Sequence, residues 1–278
     1  MGFSILIIVI SVILSGCKIS KSKVEQPVKE YLKSELNIND GYKILAAEND
    51  GECGCNNYAY VEFNKPYRTY ARLAFDQDTN LINLEWGDNA YFKLFKGAYV
   101  KQHPELIELV DKIMTKKHLM KDTSNVSQEI KEISFYDYID IAFSESQEKK
   151  LIETFKQNKT IETNKIVPTL KLDGRSRGAL VYRGVINFNF LYDEYKQKHR
   201  KVPQAIEILK EFEKNKVLSE GLYSINIEIT STNPEWELID DKHASYLAFK
   251  VDRSGKFKDL RLIKEDENTE FKEIEIKH

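Results

Sequence analysis

Cysteine is scarce in this chain, with three in 278 residues, at Cys17, Cys53 and Cys55. That excludes a scaffold stapled by many disulfides in place of a hydrophobic core. Six prolines and twelve glycines are too few for a collagenous or low-complexity chain. Neither sign of charge dominates: 42 basic and 44 acidic side chains leave a net charge of −2. The basic surplus of a nucleic-acid binder is therefore missing, and no nucleic-acid partner is expected. Long hydrophobic runs are missing as well. The apolar block Phe3 to Leu14 spans twelve residues, whereas a helix needs about 20 to cross a bilayer. What remains is the composition of a folded protein, 41% hydrophobic, 31% charged and 11% aromatic, long enough for two modest domains.

The short apolar block is followed by Leu14-Ser15-Gly16-Cys17, and a greasy run ending in small residues has the layout of a secretory signal. The tetrapeptide resembles the lipobox of bacterial lipoprotein signal peptides. The resemblance implies a signal peptide over residues 1–16, cleavage before Cys17, a diacylglycerol on its thiol and acylation of the freed amine. Residues 17–23 then form a lipidated tether. Two or more acyl chains hold a protein stably where one gives only marginal binding, so the implied partner is a membrane, reached through Cys17 on the extracytoplasmic face. Because Lys18 rather than Asp follows the cysteine, a Gram-negative host would by family habit send the protein to the outer membrane. The resemblance covers seventeen residues and is silent on the rest.

Past the tether, Val24, Val28, Tyr31, Leu32 and Leu36 repeat at helical spacing. Alternating aromatic and aliphatic residues then predict strands at Tyr42 to Ala47, Tyr58 to Phe63, Arg68 to Phe75 and Leu81 to Trp86. Helices are predicted over Asn89 to Lys96 and Pro104 to Met120, and a linker over Asp122 to Ser127. The second half reads as a strand at Ile133 to Phe143, where Phe135, Ile139 and Phe143 would also suit a helix, then a helix at Gln147 to Asn158, and strands at Ile166 to Leu172 and Ala179 to Phe190. Helices at Tyr192 to Lys198 and Pro203 to Leu218 follow. Strands near Leu222 to Ile229, Ala244 to Val251, Lys256 to Ile263 and Glu270 to Ile276 close the chain.

The expected fold class is α+β, helices packed on antiparallel sheets, with an N-terminal domain at 24–122 and a C-terminal domain at 128–278. A faint echo appears when Asp76 is laid on Asp252: Tyr70, Leu73, Phe75, Leu81 and Leu84 then meet Tyr246, Phe249, Val251, Phe257 and Leu260. Two copies of a helix followed by an antiparallel meander would be the layout of cystatin-like or NTF2-like domains, an analogy that carries no function.

Four constellations hold candidate chemistry. Cys53-Gly54-Cys55 reads first as a loop disulfide, since neighbouring thiols outside the cytoplasm tend to oxidise. A labile redox pair and half of a metal site remain alternatives, but no Cys-x-x-Cys helix start lowers a thiol pKa, and all five histidines lie far off in sequence. Gly174-Arg175-Ser176-Arg177-Gly178 matches the nucleophile-elbow pattern, which requires a helix after the serine. The alternating residues that follow predict a strand instead, so Ser176 reads as a hairpin tip. Asp76 to Asn80 begins like a calcium loop but has Leu81 and Gly87 where Gly and Glu are needed. No metal site, cofactor or catalytic residue is therefore expected. Two basic clusters complete the set: Arg175, Arg177 and Arg183, and Lys196, Lys198, His199, Arg200 and Lys201. Both would suit anionic lipid headgroups, an anionic surface polymer or an acidic envelope protein, although such runs are more often simply solvated faces.

The leading reading is a membrane-anchored surface lipoprotein acting as a non-enzymatic binding or accessory module. An extracytoplasmic hydrolase or thiol redox enzyme is the second. The third, a solute-binding lipoprotein serving a transporter, is disfavoured because such proteins have near-continuous apolar parallel strands, while strands here alternate.

Overall fold

Val24, Val28, Leu32 and Leu36 recur every four residues, and in the computed structural model each is at most 1% exposed. Structure is described for residues 19–49, 56–82, 89–121, 136–141, 143–172, 183–197, 200–231, 245–265 and 271–276. In chain order the elements are α1 (Ser22–Leu36), β1 (Tyr42–Asn49), β2 (Asn57–Phe63), β3 (Thr69–Phe75), β4 (Leu81–Ile82), α2 (Ala90–Gln102) and α3 (Pro104–Lys117). They continue with β5 (Ile139–Ile141), α4 (Glu145–Asn158), α5 (Thr163–Ile166), β6 (Ile186–Asp193), α6 (Ala205–Asn215), β7 (Gly221–Thr230), β8 (Ser245–Val251), β9 (Phe257–Glu265) and β10 (Phe271–Glu275). The fold is α+β, with helices and two mostly antiparallel sheets. Among the described residues no helix is long and apolar enough to cross a membrane.

The chain forms two compact units. The first comprises Met1–Gly97, Ser127–Ile133 and Lys149–Thr160; the second comprises Ala98–Val126, Ser134–Glu148 and Ile161–His278.

In the first unit, α1 begins a turn before Pro27. Burial of Val24 holds that turn although the proline has no N–H to give the helix. Asn37 ends the helix in the left-handed conformation, φ 53°, which asparagine tolerates better than most side chains. Strands β1 to β4 form an antiparallel sheet in chain order. Ala59, Val61 and Phe63 share one buried face with Ala71 and Leu73, and α1 packs on β2. Tyr58, Tyr60 and Tyr70 lie on the other face, where the Arg72 guanidinium sits 3.9 Å over the Tyr58 ring and the Tyr60 hydroxyl donates to Glu48 at 3.2 Å. Tyr58 and Tyr60 therefore serve cross-strand contacts. The chain returns to this unit in the second part of α4, whose Phe155 meets Tyr91 edge-on at 5.9 Å. Just beyond, the Lys159 ammonium donates to the carbonyls of Leu36 at 3.2 Å and Asn37 at 2.6 Å. It satisfies orphan acceptors at the end of α1.

The second unit is built on a six-stranded sheet of order β10-β9-β8-β7-β6-β5. Its pairs are antiparallel except β6 and β7, which are parallel because the chain between them crosses over through α6. On one face Phe188, Tyr223, Phe249 and Phe257 stack across four strands, with centroid spacings of 6.4, 5.7 and 5.4 Å. Phe212 of α6 meets Phe188 at 5.1 Å, and Ile208 and Leu209 are buried beside it in sequence. On the other face Asn187, Ser224 and Asn226 are buried. The Ser224 hydroxyl donates to Asn187 Oδ1 at 2.6 Å, and Asn226 Nδ2 donates to Asn189 Oδ1 at 2.6 Å. Neighbouring strands thus supply partners to the Asn187 amide oxygen and the Asn226 amide nitrogen.

The echo between Asp76 and Asp252 has a structural counterpart. Both loops join antiparallel strands through pairs Phe75↔Leu81 and Val251↔Phe257. In each, the aspartate N–H donates to the carbonyl four residues on, at 2.9 Å for Asp76 and 3.0 Å for Asp252. Its Oδ1 accepts the backbone N–H of that same residue, Asn80 at 2.8 Å or Lys256 at 3.1 Å. Both also carry a left-handed residue at the fourth loop position, Thr79 or Gly255. The surrounding order differs, since the first loop joins the third and fourth strands after α1 and the second joins the second and third after α6.

Two predicted elements take other forms. The strand expected at Ile166 to Leu172 begins as the helical turn α5 followed by a 3-10 turn over Val167–Thr169. Pro168 supports the tight turn, and Gln102 Oε1 accepts the Thr163 N–H at 3.0 Å. The helix expected at Tyr192 to Lys198 is absent from its described part, where β6 runs on to Asp193. There the buried Asp193 carboxylate captures the Lys196 N–H at 3.1 Å and the Lys196 ammonium at 3.1 Å. A side chain that binds its own downstream backbone favours a turn over a helix.

Candidate anion-binding pocket

Two chain segments meet in the second unit to form a basic cavity. Helix α3 ends in Lys116 and Lys117, where cations are favoured by the helix dipole. His118 then turns the chain in the left-handed conformation, φ 55°. Two residues on, Met120 exchanges backbone hydrogen bonds with Leu191 at 2.8 and 2.9 Å, which fastens this turn beside β6. The second segment follows β6. The Tyr192 hydroxyl donates to the Arg200 carbonyl at 3.3 Å, and the Ala205 N–H at the start of α6 is capped by Ser245 Oγ at 2.9 Å. Arg200, Lys201, Val202 and Pro203 are held between those fixed points.

Lys116, Lys117, His118, Tyr192, Arg200, Lys201, Val202, Pro203 and Glu207 line a cavity of about 290 Å³, near the lower end of small-ligand sites. Lys117 pairs with Glu207 at 2.5 Å, and Lys201 reaches the same carboxylate at 4.0 Å. Lys116 pairs with Glu211 at 3.1 Å, and its ammonium holds the Glu211 carboxyl below the usual range. Arg200 Nη1 is hydrogen-bonded to His118 Nε2, which orients the guanidinium. Together these contacts make a concave surface of four cations with a carboxylate as internal counter-ion, furnished on one side by Tyr192, Val202 and Pro203. That arrangement suits recognition of an anion. Among the described residues that line it there is no serine, threonine or cysteine.

Arg200 and Lys201 belong to the second basic cluster read from the sequence; Lys198 and His199 lie outside the described residues. Lys196 is engaged with Asp193 instead. Of the first cluster, Arg183 is half-buried in the turn before β6, and Arg175 and Arg177 lie outside the described residues, as do Cys17, Cys53, Cys55 and Ser176. Asp76 spends its carboxylate on Asn80, accepting from the backbone N–H at 2.8 Å and the side-chain amide at 3.0 Å. Lys116, Lys117 and His118 went unselected in the sequence, although "KKH" closing an amphipathic helix was the signal available.

A second polar cluster is buried. Gln102 Nε2 donates to the Ile161 carbonyl at 2.7 Å, and Gln102 Oε1 accepts the Thr163 hydroxyl at 2.8 Å. His103 Nε2 lies 3.4 Å from Thr163 Oγ1, and its ring packs on Tyr99 at 4.3 Å. Burial pushes the His103 pKa down, against a smaller opposing effect of Glu105. The unfolded state therefore binds more protons below about pH 6.5, and this contribution to stability falls as pH drops from there through the depressed folded value. Burial raises the phenols of Tyr99 and Tyr223, the latter to about 12, so neither ionises in that window. Urea midpoints are expected to fall between pH 7.5 and 5.5, with a smaller fall in His103→Gln. Equal falls in the two proteins would assign the effect to other groups.

No protein-family model, curated protein or solved structure matches this chain. Its function has to be read from the residues themselves.

Proposed function

We propose that this protein is a lipid-anchored binding module of the bacterial envelope, tied to the extracytoplasmic membrane face through Cys17 and taking an anionic group in the pocket of its second unit. The binding half of this reading is carried by the convergence of Lys116, Lys117, Arg200 and Lys201 on one cavity. The anchoring half rests on Leu14-Ser15-Gly16-Cys17 and on the stable attachment that multiple acyl chains provide. A non-enzymatic role is favoured because, among the described residues, no serine, threonine or cysteine lines the cavity and its lysines are paired with carboxylates. An anionic surface polymer or an acidic envelope protein is the partner such a module would meet.

Metabolic labelling with a radioactive fatty acid tests the anchor. Label is expected on the wild-type chain and to be absent from Cys17→Ala, with the wild type in the membrane fraction. Equal labelling of the two would remove the basis for the localisation.

A further inference from the structure

The chemical class of the anion follows from the charges around the cavity, given the reading above that this cavity is where an anionic group binds. Among the described residues, Lys116, Lys117, Arg200 and Lys201 contribute four positive charges, and the carboxylates paired with them, Glu207 and Glu211, remove two. The balance is +2. A carboxylate or a phosphodiester brings one negative charge and leaves the cluster uncompensated, whereas a phosphomonoester carries about −1.5 to −2 at pH 7 with three terminal acceptor oxygens. Donor chemistry points the same way. A guanidinium fork matches two phosphate oxygens at once, and Lys116 and Lys201 approach the cavity from different segments, one closing α3 and the other preceding α6. A third oxygen would have an ammonium partner.

The cavity also has an apolar wall, Tyr192, Val202 and Pro203, and at about 290 Å³ it has room beyond the anionic group itself. We propose that the pocket is a phosphomonoester site, receiving a terminal phosphate group borne on a small alcohol such as a polyol or sugar. The phosphate sits between Arg200, Lys116 and Lys201, while Lys117 stays with Glu207, and the alcohol lies along Tyr192 and Val202. The same terminal group can arrive on a free metabolite or as a phosphomonoester lipid headgroup. Binding weakens with added salt, as contacts between exposed charges do.

The full-length lipidated chain in nonionic micelles is titrated calorimetrically with glycerol phosphate at pH 7.5, then with its methyl phosphodiester and with acetate. Phosphatidate and phosphatidylglycerol, mixed into separate micelles, provide lipid-borne monoester and diester. The expected result is saturable binding of a monoester at least about tenfold tighter than the diester or acetate, with a loss of about tenfold in Arg200→Gln and in Lys201→Gln. Lys201 is 84% exposed at its side chain, so its substitution cannot act by unfolding the protein. Preference for phosphatidate would keep the site and assign its ligand to the membrane; preference for glycerol phosphate would keep the site and assign it to a free metabolite. Equal affinity for monoester, diester and acetate would overturn the phosphomonoester assignment and leave a general anion pocket. No binding of any probe, or monoester binding unchanged in both variants, would overturn the assignment and the pocket reading together.

Discussion

Gly184→Ala is expected to destabilise the protein by roughly 3 kcal/mol, the sum of a left-handed backbone penalty and an overpacking penalty. Gly184 sits at φ +78°, and an added Cβ would stand 1.8 Å from the Lys171 carbonyl oxygen and 2.7 Å from its carbon. Both obstacles are backbone atoms, so relief requires moving one chain segment away from the other. Gly255 provides the control, because it has nearly the same φ, +77°, with nothing within 4 Å of its Cβ position. Gly255→Ala carries only the backbone strain, about 1–2 kcal/mol. Urea unfolding of the two variants beside wild type separates the contributions. A loss at Gly184 no larger than at Gly255 would show that the approach of Lys171 is not a constraint on the fold.

This close approach also bears on what the sequence could reveal. Gly184 stands inside a run that alternates like a strand, "VYRGVINFNF", and that run predicts pairing without predicting a crossing at its start. Alternation located β1, β2, β3, β7, β8 and β9 within a few residues, and in β2, β3, β7 and β8 one face is buried more deeply than the other, so side chains there repeat with period two. It failed where a single side chain rewires the local backbone. Asp193 reads as an unremarkable polar residue after Tyr192, yet its carboxylate on the Lys196 N–H turns the chain where composition alone favours a helix. The parallel pairing of β6 with β7 was equally hidden, since strand sequences do not state their neighbours.

The pocket was half legible for a related reason. Arg200 and Lys201 are close in sequence, and their charge was visible. His118 is 82 residues from its partner Arg200. Lysines that end an amphipathic helix have an ordinary explanation in the helix dipole. The Met120–Leu191 bridge, with the Lys117–Glu207, Lys116–Glu211 and Arg200–His118 contacts, brings the two groups to one cavity. Charge clusters separated by a domain's length become a site through backbone pairing, which single-sequence patterns do not encode.

Phe188→Ala is expected to cost about 3–5 kcal/mol, the range for removing a large aromatic side chain from a packed core. Phe188 is fully buried at the β6 end of the aromatic column. It contacts Phe212 of α6 at 5.1 Å and Tyr223 of β7 at 6.4 Å, so it joins the crossover helix to the only parallel pair among the described strands. Removing the ring leaves a cavity between a helix and a strand whose backbones are held by hydrogen bonds of their own, and collapse can recover little of the lost contact. Phe188→Leu keeps most of the apolar volume but none of the ring contacts, and a smaller loss of about 1–2 kcal/mol follows. The ordering of Ala below Leu in urea midpoint, with an unchanged denaturant slope, is the measurement. A loss under about 1 kcal/mol for Ala would mean that α6 is not seated on β6 through this ring. The same strand face carries Tyr192 two turns of the pleat further on, so β6 presents both the end of the aromatic column and the tyrosine whose hydroxyl donates to the Arg200 carbonyl at the pocket.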